Sequence, residues 1–282
     1  MADVHTLMTG IAMGESPRWH DERLWFADWG VGEIIAVDLD GVSEVVLRRQ
    51  SLPLSIDWLP DGRLLLVSGR DGLLLRREHD GSLVTHADLG SISTKPWNDI
   101  VVDGRGNAYV GTIGFDFPAG EFAPGSLALV TPDGAARLVA DGLAFPNGLA
   151  VTADNQTLIV AESYGDRLTA FDIGSDGTLS NRRVWADTPG DHPDGICLDA
   201  DNAVWYADVG GLHCARVREG GEVLQRVDVD LGCFACMLGG PEGRTLFIVA
   251  NAWPLPSDMR AEGGRTGRVL TVDAPATRAG WP

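Results

Sequence analysis

The sequence predicts an all-β protein, a six-bladed β-propeller, on three observations. Thirty-six glycines and fifteen prolines interrupt short apolar runs, and no long stretch keeps a helical period. A short apolar strand, a turn rich in Asp, Gly or Asn, and a second strand recur six times. The second strands end 40 to 51 residues apart, at Asp28, Ser68, Gly111, Glu162, Asp208 and Asn251. Third and fourth apolar runs follow, and four-stranded units at this spacing are typical of propeller blades.

The two ends of the chain predict how the ring closes. The sixth repeat has a third apolar run, RVLTVDAP, but no fourth, because a tail containing Pro and Gly follows it. The unpaired VHTLMTG near the N-terminus has the right length to supply the missing strand. We therefore expect residues 1–282 to form a single propeller domain, closed by an N-terminal strand that joins the last blade.

Composition restricts the class of partner. The 22 basic and 40 acidic residues give a formal net charge of −18. Electrostatic binding to nucleic acid or to anionic lipid needs clustered Lys and Arg, so neither is expected. The opening residues contain no basic region followed by a long apolar run, and no segment approaches the length of a membrane span. A cytoplasmic protein acting on a small molecule is expected, and the sequence carries no signal for an oligomeric state.

Four cysteines, Cys197, Cys214, Cys233 and Cys236, fall late in the chain. Without an export signal, reduced thiols are expected rather than disulfides. Cys233 and Cys236 have C-x-x-C spacing, which could suggest a redox pair or half of a zinc site. No second C-x-x-C follows, and the flanking residues read as an apolar strand. Buried core thiols are therefore the favoured interpretation.

One register in the repeats indicates a metal site. In a propeller the first strand of every blade lines the central channel, so equivalent positions converge on one axis. The residue just before each first strand is polar in five of the six repeats: Glu15, Ser55, Asn98, Asn147 and Asp194, with Ala235 in the sixth. A hard cation would satisfy these oxygen atoms together. Oxygen ligands favour calcium, magnesium or manganese over zinc, which is kept as a further candidate.

The same residues carry a family resemblance over the whole chain. Four motifs stand in order, one per repeat: Gly14-Glu15-Ser16-Pro17, Trp97-Asn98-Asp99, Phe145-Pro146-Asn147-Gly148 and Pro193-Asp194-Gly195. Together they resemble the family that contains regucalcin, gluconolactonase and luciferin-regenerating enzyme. The resemblance implies a six-bladed propeller with a divalent metal, usually calcium, at one end of the channel. It implies Glu15, Asn147 and Asp194 as metal ligands, and Asn98 as a further ligand or a substrate-orienting group.

The resemblance also implies an activity, with one departure from the family pattern. Family members are typically lactonases and related propellers hydrolyse phosphoesters, with Asp194 at the position of the base or nucleophile. Sugar-lactone members carry an arginine two residues before the asparagine of the third blade, where this chain has Pro96. Lys95, the single lysine, is a candidate to supply the missing cation; an exposed loop lysine is the alternative.

Aromatic residues predict the character of the substrate pocket. Trp97, Phe115, Phe117, Phe122, Phe145 and Trp253 fall in loops expected on the metal-bearing face. Apolar walls bind apolar ligands, which favours a hydrophobic or aromatic lactone or ester over a sugar lactone. Packing between blades is the alternative. His192, two residues before Asp194, is the best histidine candidate for moving a proton at this pocket.

The predicted reaction is hydrolysis of a lactone. A bound cation polarises the carbonyl, Asp194 takes a proton from the attacking water, and Asn98 and Asn147 orient the carbonyl. Three alternatives stay open. They are a calcium- or ligand-binding propeller without turnover, a protein-interaction propeller, and a phosphotriesterase, lyase or isomerase built on the same metal site.

Overall fold

The computed structural model describes residues 3–259 and 261–282. Within these ranges, 24 strands form six four-stranded antiparallel sheets. Blade 1 holds β2 (Gly14–His20), β3 (Arg23–Asp28), β4 (Glu33–Val37) and β5 (Ser43–Arg48). Blade 2 holds β6 (Leu54–Trp58), β7 (Leu64–Ser68), β8 (Leu73–Arg77) and β9 (Leu83–Asp88). Blade 3 holds β10 (Trp97–Val102), β11 (Ala108–Thr112), β12 (Gly125–Val130) and β13 (Ala136–Leu143).

The second half of the ring repeats this order. Blade 4 holds β14 (Pro146–Val151), β15 (Thr157–Glu162), β16 (Arg167–Ile173) and β17 (Leu179–Asp187). Blade 5 holds β18 (Pro193–Leu198), β19 (Val204–Asp208), β20 (His213–Val217) and β21 (Val223–Asp228). Blade 6 holds β22 (Gly232–Gly239), β23 (Thr245–Asn251) and β24 (Gly267–Asp273), with a short 3₁₀ turn at Glu262–Gly264 before β24.

The ring closes as the sequence predicted. The N-terminal strand β1 (His5–Ile11) pairs antiparallel with β24, from His5 opposite Thr271 to Ile11 opposite Gly267. The sixth sheet therefore has the order β1-β24-β23-β22, while every other blade is built from consecutive strands. The first strand of each blade contacts the first strands of both neighbouring blades. The six-bladed propeller and its closure by the N-terminal strand are confirmed.

Buried apolar side chains fill the spaces between the sheets. One cluster joins blades 1, 5 and 6 and includes Phe26, Trp205 and Phe247. All four cysteines belong to this cluster; they are free and buried, so the interpretation as core thiols is confirmed. Further clusters lie between the other blades. No helix among the described residues has the length and apolar character needed to cross a membrane.

The polar residue that ends a second strand holds the segment that leads into its own blade. Asp28 accepts hydrogen bonds from the backbone N–H groups of Ala12 and Met13, both at 2.9 Å. In blades 4 and 5, Glu162 and Asp208 likewise accept from the backbone just before β14 and β18. The sequence identified these three residues only as the ends of repeats. Their hydrogen bonds fix where β2, β14 and β18 begin.

Candidate metal centre and active site

The residues of the predicted register lie at the start of the inner strands. The strands begin two residues earlier than the sequence suggested, so that β2, β6, β10, β14 and β18 have as their second residues Glu15, Ser55, Asn98, Asn147 and Asp194. Ala235 is the fourth residue of β22, within the same ring. We use the name channel-mouth site for Glu15, Asn98, Asn147 and Asp194.

β-bulges adjoin these positions. The pairing of β2 with β3 shifts register between Glu15 and Arg18, and similar shifts follow Trp97 in β10, Pro146 in β14 and Pro193 in β18. In blade 2, β6, which carries Ser55, pairs with β7 without a shift. A bulge re-aims the side chains beside it, and bulges are common next to active sites. Each polar side chain of the channel-mouth site therefore lies where its strand departs from regular pairing.

Two buried carboxylates approach one another at this site. The side chains of Glu15 and Asp194 are 7% and 8% exposed. Burial raises the pKa of both carboxyl groups well above the usual range; the charge of Asp194 raises the pKa of Glu15 further, and Asp99 raises both. Among the described residues, the buried Oδ1 of Asp194 has no hydrogen-bond partner. An unpaired buried carboxylate oxygen is costly, so this atom is suited to a positively charged ligand.

A chain of hydrogen bonds orients the two carboxamides. Nδ2 of Asn98 donates to Oδ1 of Asn147 at 3.1 Å, and Nδ2 of Asn147 donates to Oγ of Ser163 at 3.2 Å. Ser163 Oγ then donates to the carbonyl oxygen of Pro193 at 2.8 Å, directly before Asp194. The chain links blades 3, 4 and 5 and fixes the rotation of both amides. Ser163 has no signal in the sequence, because its role depends on the neighbouring blade.

A buried arginine that the sequence reasoning missed lies beneath the carboxylates. The guanidinium of Arg18, 4% exposed, donates to Asp99 Oδ1 at 3.3 Å and to the carbonyl oxygens of Ile100 and Pro17. Its Nε lies 3.9 Å from Asp57 Oδ1. Burial raises the pKa of Asp57 to about 6 even though Arg18 opposes the shift. Regular alternation would place Glu15 and Arg18 on opposite faces of β2, and the register shift between them accounts for both lining one cavity.

The donor set fits a hard cation. A small cavity with room for about one water or ion is lined by Glu15, Arg18, Asp99 and Asn147. The surrounding carboxylate and carboxamide oxygens are the ligands that calcium, magnesium and manganese prefer. Gly195 keeps the inner strands close, because a Cβ there would lie 2.4 Å from the Cβ of Ala235.

Five aromatic rings lie beside this cavity; Phe115, Phe117, Phe122, Phe145 and Tyr164 form what we call the aromatic wall. Phe145 and Tyr164 have ring centroids 4.9 Å apart, and Phe117 lies 5.2 Å from Phe145. Phe117, Phe122 and Tyr164 are each about half exposed, at 44%, 53% and 53%. The wall adjoins Asn147, since Phe145 precedes it by two residues and holds a strained φ of 60°. Sequence reasoning missed Tyr164, which comes from a different loop.

Other predicted pocket residues lie elsewhere. The side chain of Trp97 is 0% exposed and packs in the core between blades 2 and 3, so it does not face an open pocket. Trp253 makes an edge-to-face contact with Phe234 in blade 6, apart from the aromatic wall. Nζ of Lys95 lies 2.8 Å from Asp116 Oδ2, and Nδ1 of His192 lies 2.8 Å from Asp166 Oδ1. Both side chains are partly exposed, at 38% and 60%, and contact loop acids rather than the channel-mouth site.

The fold and this site define a class of protein, a six-bladed propeller whose inner strands gather carboxylates and carboxamides at one end of the channel. The profile of the SMP-30/Gluconolactonase/LRE-like region matches residues 13–252, and the chain belongs to that family.

The similarity extends to individual proteins. The chain is 28% identical to diisopropyl-fluorophosphatase from Loligo vulgaris over 244 residues, covering 77% of this chain and 76% of that one. It is 25% identical to pentonolactonase XacC from Haloferax volcanii over 248 residues, covering 85% and 82%. A solved structure of luciferin-regenerating enzyme superposes with a TM-score of 0.84 at 20% identity, covering 99% of this chain and 98% of the other.

Proposed function

We propose that this protein is a divalent-metal-dependent hydrolase that opens a lactone, with calcium as the preferred metal. The observation that carries the proposal is the buried Oδ1 of Asp194, which has no partner in residues 3–259 and 261–282 and stands near the carboxylate of Glu15. Two crowded carboxylates in a cavity of this size need a cation to remain ionised. Membership of a lactonase-containing family supports the reaction class.

Glu15, Asn147 and Asp194 would hold the metal, and Asn98 would be a further ligand or orient the substrate. When bound, the cation supplies Lewis-acid polarisation of the lactone carbonyl. Asp194 accepts one proton from the attacking water as the water oxygen forms a bond to the carbonyl carbon. The ring C–O bond then breaks, and the released alkoxide takes up the proton to give a hydroxy acid. Asn98 hydrogen-bonds the carbonyl oxygen as it gains charge.

The aromatic wall supports a hydrophobic or aromatic lactone as the substrate. Three of its rings are about half exposed beside Asn147, and exposed apolar patches of this kind mark ligand-binding surfaces. We propose that Phe117 and Phe145 contact the apolar part of the substrate. At the rim of the pocket, Lys95 would supply a cation to the substrate and His192 would move a proton. To reach the substrate, Lys95 would have to leave Asp116 and His192 would have to leave Asp166.

A substrate panel tests the function. The full chain is assayed with aliphatic, aromatic and sugar lactones and a fluorophosphate ester, with calcium and with a chelator. We expect hydrolysis of lactones only when the metal is present. Stabilisation by calcium without turnover of any substrate would identify a binding protein instead. Faster turnover of the fluorophosphate than of every lactone would assign phosphoester chemistry to the site.

Truncating the aromatic wall tests the substrate class. We expect Phe117→Ala to raise KM for an aromatic lactone about fivefold, because about half of a phenyl ring's burial energy is lost. The value of kcat should stay within twofold, since the contact is the same in the ground and transition states. Leu138→Ala, which removes a half-exposed apolar side chain on β13, is the control. Equal KM values for wild type and Phe117→Ala would show that the wall does not contact the substrate.

The raised pKa values of Glu15 and Asp194 predict how metal binding depends on pH. The stability that each group contributes is present below its unfolded pKa of about 4 and is lost as pH rises through its higher folded pKa. The metal-free protein should therefore become less stable as pH rises and Glu15 and Asp194 lose their protons. Because calcium competes with these protons, it should stabilise the protein more at pH 8 than at pH 5.

Thermal unfolding measures this dependence. At 100 times its Kd, calcium should raise Tm by about 5–10 °C at pH 8, and by clearly less at pH 5. Glu15→Gln should reduce the calcium shift and flatten its pH dependence, whereas Glu44→Gln, an exposed acid on β5, should change neither. A calcium shift of the same size at both pH values in wild type would contradict proton competition at this site.

A further inference from the structure

Blade 5 contains a second polar cluster that the proposed hydrolysis does not use. It consists of Asp191, Tyr206, Asp208 and His213, behind the loop that leads to Asp194. His213 Nε2 lies 2.9 Å from Asp191 Oδ2, and the hydroxyl of Tyr206 donates to the same oxygen at 2.6 Å. Because a carboxylate oxygen accepts, Nε2 of His213 carries the proton. The lone pair of a neutral His213 is therefore on Nδ1.

That nitrogen faces a second unsatisfied acceptor. His213 Nδ1 and Asp208 Oδ2 lie 4.0 Å apart, on side chains that are 1% and 0% exposed. Within the part of the chain that the structure describes, neither atom has a hydrogen-bond partner. A direct N–H···O hydrogen bond spans about 2.7–3.2 Å, so a proton alone does not bridge this gap. A positively charged group between the two atoms would satisfy both buried lone pairs.

In two other blades, the carboxylate at the position of Asp208 has hydrogen-bond donors for both of its oxygens. Both carboxylate oxygens of Asp28 accept backbone N–H groups. In blade 4, Arg167 stands directly opposite Glu162, as His213 stands opposite Asp208. Its guanidinium donates to both oxygens of Glu162, at 3.0 and 3.1 Å. Blade 5 thus has a histidine in place of that permanently charged arginine, and a neutral His213 leaves Asp208 Oδ2 without a cation.

We propose that blade 5 binds a divalent first-row cation of the zinc type between His213 Nδ1 and Asp208 Oδ2. Zinc bonds of about 2.0–2.2 Å reach both atoms, and a tetrahedral site would draw them together by about 0.6 Å. Asp191, whose carboxylate lies within 4.8 Å of the other two ligand groups, orients the imidazole through Nε2–H. A carboxylate that fixes the far nitrogen of a histidine is typical of metal-binding histidines.

The proposed ion differs in chemical type from the ion of the channel-mouth site, and it binds different strands. An imidazole nitrogen donor beside carboxylates favours zinc over calcium. The ion would join β19 and β20, and Asp191 would connect it through His213 to residues 188–192, the loop that leads to Asp194. This site is independent of the proposed lactone hydrolysis, because its residues and its metal are separate.

Metal binding by the full chain tests the proposal. The channel-mouth site is first disabled with the double substitution Glu15→Gln and Asp194→Asn, and zinc binding is measured by calorimetry and elemental analysis. We expect about one equivalent of zinc to remain, and His213→Gln or Asp208→Asn to remove it. Asp191→Asn should weaken binding about 10–100-fold, as expected for a group that orients a ligand. His79→Gln, a substitution of an exposed histidine in blade 2, should leave the zinc stoichiometry unchanged.

A glycine pair provides a matched steric test. A Cβ on Gly211 would lie 2.3 Å from Asp208 Oδ2 and 2.6 Å from His213 Nδ1, in the space that the ion needs. A Cβ on Gly210 would approach only Asp208 Oδ1, at 3.9 Å. Gly211→Ala should abolish zinc binding and Gly210→Ala should retain it, with circular dichroism confirming that each variant folds.

Two results would overturn the proposal. One is zinc binding of equal stoichiometry and affinity in the folded His213→Gln and Asp208→Asn proteins. The other is an ¹⁵N NMR spectrum in which both ring nitrogens of His213 stay protonated at neutral pH in the presence of excess zinc. That spectrum would identify the positive group as the imidazolium itself.

Discussion

Replacing Asp194 with asparagine is expected to lower kcat/KM for lactone opening about 10²–10⁴-fold, which is the usual contribution of a general base. Asparagine keeps the shape of the side chain and one oxygen, but it cannot accept the proton from water. The substitution also removes one of the two buried negative charges that favour a divalent cation. Calcium affinity measured by calorimetry should therefore fall together with turnover.

The control is Asp141→Asn, a change of an exposed acid on β13 that should leave both quantities within twofold. Calcium should be added in large excess to the Asp194→Asn protein, so that weaker binding does not account for the lost rate. Near-native turnover under that condition would show that another group accepts the proton. Loss of calcium binding with retained turnover would instead separate the metal from the reaction.

Replacing Arg18 with methionine is expected to lower the free energy of unfolding by about 3–5 kcal/mol, which is typical when one partner of a buried ion pair is removed. The substitution leaves Asp57 and Asp99 buried without the guanidinium that lies between them. Asp57, whose pKa is already raised to about 6, would take up a proton more readily. The loss should therefore be smaller at pH 5 than at pH 8.

Urea denaturation of wild type and variants measures this effect at both pH values. Arg48→Met is the matched control, because Arg48 pairs with Glu33 on the surface and is 70% exposed. Exposed pairs contribute about 0–1 kcal/mol, so this control should unfold almost as wild type does. If Arg18→Met were no more destabilising than Arg48→Met, the three-residue network would not stabilise the base of the cavity.

Prediction from sequence succeeded for the features that the residues of a single strand or a single repeat determine. Turn residues between alternating apolar runs gave six blades, and the missing fourth strand of the last repeat gave the closure by residues 5–11. The register of Glu15, Asn98, Asn147 and Asp194 also came from the repeats. Their assignment as metal ligands and catalytic groups stays a prediction, supported by the burial of both carboxylates and by the unpaired Asp194 Oδ1.

Prediction was weaker where a side chain's direction depends on neighbouring strands. A period of two does not reveal a bulge, and bulges beside Glu15, Asn98, Asn147 and Asp194 decide how these side chains point. Trp97, expected at the pocket, instead fills the core between blades 2 and 3. Its neighbour Asn98 remains in the ring.

The sequence by itself therefore determined the repeat, the closure and the set of residues that can meet at the channel, because these follow from local alternation and turn chemistry. Only the tertiary structure decided which groups surround them. Arg18 meets Asp99 across blades, and Tyr164 joins Phe115 from another loop. Asp208 Oδ2 lies 4.0 Å from His213 Nδ1 across adjacent strands. Such contacts arise when the ring closes and loops distant in sequence are brought within a few ångströms.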